Sequence, residues 1–74
     1  MDTEIVSMQA AYKAAVDDWV AAIRAEEALA SGEPTVAQVD QWEQAHFKED
    51  EARNKAKGAQ KEYEDALRRK LYHF

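Results

Sequence analysis

The chain has 74 residues and a mass of 8.4 kDa, enough for one small domain. Hydrophobic residues at 46% exclude a disordered chain, and charged residues at 34% exclude a membrane-embedded one. Fifteen acids against ten bases leave a net charge of −5, which argues against non-specific affinity for nucleic acid or anionic lipid.

There is no cysteine, and so no disulfide, thiolate metal site or Cys nucleophile. Met1-Asp2-Thr3-Glu4 carries no basic stretch running into an apolar one, so no secretory leader is expected. The longest near-apolar window, residues 19–23, is far short of the ~20 residues a membrane span needs. A cytoplasmic, non-membrane protein is the expectation. Only Gly32, Pro34 and Gly58 punctuate the chain, too few for an all-β fold with its regularly spaced turns. The fold class expected is all-α: an antiparallel two-helix hairpin spanning residues 1–74 as a single domain.

The first helix is expected over about residues 3–31. Asp2 or Thr3 is placed to cap it, and the acids Asp2 and Glu4 suit the positive end of its dipole. Ile5, Tyr12, Trp19 and Glu26 recur every seventh residue, as do Met8, Ala15, Ala22 and Leu29 three positions on. These are the a and d rows of a heptad pattern. Val16, Ile23 and Ala30 add an e row. The apolar face is therefore wider than a two-stranded seam, as in a helix covered by more than one neighbour.

The break is Ser31-Gly32-Glu33-Pro34-Thr35, with the turn itself at residues 32–35. Gly32 suits a left-handed helix C-terminus, and Pro34 cannot continue that helix. Thr35 reads as an N-cap, with Gln38 completing a capping box and Pro34 and Val39 at the positions of a hydrophobic staple.

The second helix is expected over about residues 36–71. Its d row is Ala45, Ala52, Ala59 and Ala66, and its a row is Trp42, Glu49, Ala56, Tyr63 and Lys70. Asn54 and Gly58 weaken it. Opposite charges at i,i+4 in Glu49/Arg53, Glu51/Lys55, Lys61/Asp65, Glu64/Arg68 and Asp65/Arg69 support its continuity. Level pairing about Glu33 sets Trp19 over Ala45 and Glu49, Tyr12 against residues 52–56, and Glu26 near Asp40. Large residues of one helix then meet alanines of the other, as dense packing requires.

Two bare helices bury less than a compact globule of equal mass, and no disulfide compensates. A partner is therefore expected, most simply a second copy, giving a homodimeric four-helix bundle. The interface residues expected are Tyr12, Val16, Trp19, Ile23, Trp42, Ala52, Ala59, Tyr63, Leu67, Leu71 and Phe74. Tyr63, Leu67, Leu71, Tyr72 and Phe74 form a stripe expected to lie mostly beyond the start of the first helix, open to another chain.

Residues that could carry chemistry are few. Glu43 and His46 make a Glu-x-x-His pair, the spacing by which four-helix di-metal proteins present ligands, with Glu26 as a further carboxylate. Glu43 lies off the a/d seam, so no metal, cofactor or catalytic residue is expected. Lys48, Arg53, Lys55, Lys57 and Lys61 could line a nucleic-acid face, but interleaved acids read as a solvated, salt-bridged surface. In shape alone the expected architecture looks like the small RNA-binding hairpins of the Rop type, which dimerise into four-helix bundles with alanine-rich layers. No sequence motif is shared with them. The function expected is non-enzymatic: an interaction or structural protein acting through helix–helix contacts. A carboxylate–histidine metal protein and an RNA-binding hairpin dimer are the alternatives.

Overall fold

The computed structural model describes residues 3–72, and among them there are two helices and no strand. Helix α1 (Thr3–Ala28) and helix α2 (Val36–Tyr72) pack antiparallel against each other, as the heptad rows require. No helix among the described residues is long and apolar enough to cross a membrane. Asp2, one of the two candidate caps of the first helix, and Phe74 lie outside the described residues. Asn54 and Gly58 do not interrupt α2, which runs unbroken for 37 residues.

The connection forms from the residues that announced it, with two differences. Helix α1 ends at Ala28, three residues before the expected boundary. Leu29 N donates to Glu26 O at 3.2 Å and Ala30 N to Glu27 O at 3.0 Å. These i−3 bonds tighten the final turn before Gly32, at φ +72°, reverses the chain. On the other side, Thr35 Oγ1 accepts the Gln38 N–H at 3.1 Å, and Thr35 O accepts that of Val39 at 3.0 Å.

The second half of the capping box takes a different course. The Gln38 amide nitrogen turns to α1's end and donates to Leu29 O and, at 2.8 Å, to Ser31 O. A glutamine offers two N–H donors that glutamate lacks, and the orphan carbonyls at a helix C-terminus need donors. Gln38 thus ties the start of one helix to the end of the other.

The a and d rows of α1 all turn inward: Ile5, Met8, Tyr12, Trp19, Ala22 and Glu26 are half-buried and Ala15 is buried, and Leu29, just past the helix end, is half-buried too. On α2 the d-row alanines Ala45, Ala52 and Ala59 are half-buried and Ala66 is buried. The a-row residues Glu49 and Ala56 are more deeply covered than most of that alanine row. Among the described residues the buried hydrophobics are three alanines: Ala15, Ala56 and Ala66.

The register departs from level pairing. Tyr12 stacks on Tyr63, with ring centroids 6.4 Å apart, instead of facing residues 52–56. Gln9 Nε2 donates to the Tyr63 hydroxyl at 3.0 Å. Glu26 meets His46, not Asp40, and Glu4 pairs with Arg69 at 3.2 Å. Trp19 does sit over Glu49. Helical side chains lean toward their own N-termini, so tips on antiparallel helices meet further along the partner than the backbone positions imply. The shift carries the start of α1 alongside Arg69. Tyr63 and Leu67 are accordingly half-buried, and among the described stripe residues only Leu71 and Tyr72 stand exposed, at 62% and 65%.

Two expected intrahelical pairs are also redirected. Arg68 lies 3.9 Å from Asp65 in place of Glu64, and Arg69 crosses to Glu4. The Glu49/Arg53 and Lys61/Asp65 pairs form, at 3.9 and 3.2 Å.

Candidate functional site

Two features of the hairpin can meet another species: a polar cluster in the seam and an apolar surface outside it. The cluster begins with Glu49, an a-row residue between the half-buried Ala45 and Ala52 and 8% exposed. A carboxylate there must be compensated, because burial strips its water. The Trp19 indole N–H donates to Glu49 Oε1 at 3.1 Å, and an Arg53 guanidinium nitrogen lies 3.9 Å from the same oxygen. Another Arg53 nitrogen is held by Asp50.

One turn toward the connection, His46 Nδ1 approaches Glu26 Oε1 at 3.5 Å. Glu26 comes from α1, and His46 and Glu49 from one face of α2 at i,i+3. One ligand-capable atom of each lies within 4.8 Å of those of the other two. The His46 side chain is 64% exposed while Glu49 forms the floor, so the group opens to solvent on one side.

Of the three residues weighed for metal from sequence, the fold joins Glu26 and His46. Glu43 lies elsewhere, lining a shallow depression with Asp40, Gln44, Phe47 and Lys48. Glu49 was missed as a member of this group because the Glu-x-x-His pattern runs backward from His46. The partner lies three residues forward, and its a-row position was the available signal.

The apolar surface has two parts. Glu4 and Arg69, both g positions, pair across one side of the seam. The other side presents the e positions, with Val16 and Leu67 half-buried and Ile23 exposed; Val20 and Val6 are exposed beside them. At the closed end Leu29, Gly32, Pro34, Gln38, Val39 and Trp42 line an open pocket of about 270 Å³. Pro34, Val39 and Trp42 remain exposed there, so Trp42 lies at the surface more than in the core. No protein-family model matches the chain, and no curated protein or solved structure matches it.

Proposed function

We propose that the chain is a non-enzymatic helical interaction protein whose hairpins associate in pairs as an antiparallel four-helix bundle. The observation that carries this reading is what the hairpin leaves uncovered. Among the described residues the buried hydrophobics are alanines, while Val6, Val20, Ile23, Val36, Val39, Trp42, Phe47, Leu71 and Tyr72 are exposed.

The area supports the same reading. The hairpin exposes 5819 Å², about 1,200 Å² more than the ~4,600 Å² of a compact protein of its mass. One side of a standard protein–protein interface buries roughly 800 Å². The Cα radius of gyration, 16.9 Å, likewise exceeds the ~11 Å of a compact chain of this length.

Charge acts within the hairpin. Residues 1–33 carry seven acids and two bases, and residues 48–70 eight bases and six acids. Each hairpin already sets its acidic stretch beside its own basic one, as in Glu4 with Arg69, which selects register more than it adds stability.

The test is a Val20→Glu, Ile23→Glu double variant. Both positions are exposed in the single hairpin, so the helices themselves tolerate the change. Sedimentation at micromolar concentration is expected to show the parent protein dimeric and the variant helical by circular dichroism but monomeric. A variant that sediments as the parent does would remove this face from the interface.

A further inference from the structure

We propose that Glu26, His46 and Glu49 form a divalent transition-metal site, of the zinc class, that joins the two helices within one hairpin. The chemistry of the donors sets the class. One imidazole nitrogen and two carboxylate oxygens, with no thiolate, suit borderline ions such as Zn²⁺ better than soft ones.

The geometry sets the place. Zinc bonds to nitrogen and oxygen are about 2.0–2.2 Å, so tetrahedral ligand atoms lie roughly 3.3–3.5 Å apart. His46 Nδ1 and Glu26 Oε1 are already 3.5 Å apart across the helix interface. Glu49 completes the triangle within 4.8 Å, a gap that small side-chain rotations close.

Two further observations point to a cation. Glu49 is a buried carboxylate in an alanine-lined seam, met by one neutral N–H donor and by a guanidinium 3.9 Å away that also serves Asp50. A cation between it and Glu26 would face both carboxylates. Glu49 is also oriented by a group that does not bind the ion. The Trp19 N–H occupies one lone pair of Oε1 and leaves the carboxylate with further acceptor capacity, as outer partners of metal ligands commonly do. Exposed His46 gives an entry path and leaves a fourth coordination position to water.

The ligands come from both helices near the closed end, so the ion would act as a staple on the hairpin. The site is complete within one chain. His46, an e position, lies on the same side of the seam as Val16 and Ile23, so the titration is run on the parent and on the Val20→Glu, Ile23→Glu variant alike.

The experiment is a calorimetric titration of the purified full chain with zinc chloride at neutral pH, paired with thermal melts. One zinc per chain is expected, with a melting temperature that rises as zinc is added. His46→Ala and Glu26→Gln, both altered outside the fully buried core, are each expected to weaken binding at least tenfold. Their circular dichroism should match the parent's. Glu43→Gln, outside the triangle, is expected to bind as the parent does. No saturable binding by the parent would overturn the proposal. So would binding that survives His46→Ala, which would place the ion on surface carboxylates.

Discussion

At the scale of single residues, Trp19 shows how a polar group is accommodated in this seam. Its ring packs at an a position while its N–H meets the buried Glu49 carboxylate. Replacing it by Phe keeps most of the apolar bulk and removes the donor. The expected loss is about 1–3 kcal/mol, the cost of leaving a buried acceptor short of a partner. Urea denaturation at fixed protein concentration measures it, and an unchanged midpoint would mean that solvent already serves Glu49. Gly58 offers the opposite sign. A methyl group there would meet nothing within 4 Å, and the residue sits inside α2. Gly58→Ala is expected to stabilise by about 0.5–1 kcal/mol, read in the same denaturation series. Gly32 is a different case, since its φ of +72° is one that a β-carbon disfavours.

At the scale of helices and their connection, much was legible in the residues. The seven-residue rows identified the inward face of α1 position by position, and Gly32, Pro34 and Thr35 located the break. What could not be read was register. Level pairing treats helices as rods, whereas Tyr12 reaching Tyr63 and Glu26 reaching His46 depend on where side-chain tips arrive. The candidate polar site was half legible for the same reason: Glu26 and His46 were recognised as chemistry-bearing, but their meeting follows from that register. The alanine row was legible as packing, yet the most closely packed positions include Ala56 of the a row. Ala56, 3% exposed, is expected to lose about 1–3 kcal/mol on replacement by Leu, through overpacking. The same change at half-buried Ala52 or Ala59 is expected to cost less. Melting temperatures of the three variants decide the order, and an equal or reversed ranking would mean that burial within the single hairpin does not set the cost.

At the scale of the whole molecule, the hairpin is an extended body, 55 × 19 × 11 Å, with its apolar side chains shared between an inner seam and an outer face. The inner seam joins α1 to α2 through Tyr12–Tyr63, Trp19–Glu49 and Gln38's bridge between helix ends. The outer face, with Val20 and Ile23 exposed along α1, has no counterpart among the described residues. Leu71 and Tyr72 extend apolar surface to the open end, where a second hairpin running the other way would bring its own connection. Under the proposed self-association so small a seam would suffice, since the hairpin would need only to hold its shape until a partner covered it. Sedimentation equilibrium of the unmodified chain at micromolar concentration tests this most directly. The expected result is a species of twice 8.4 kDa whose melting temperature rises with protein concentration. A folded species of 8.4 kDa, melting at the same temperature at every concentration, would contradict it.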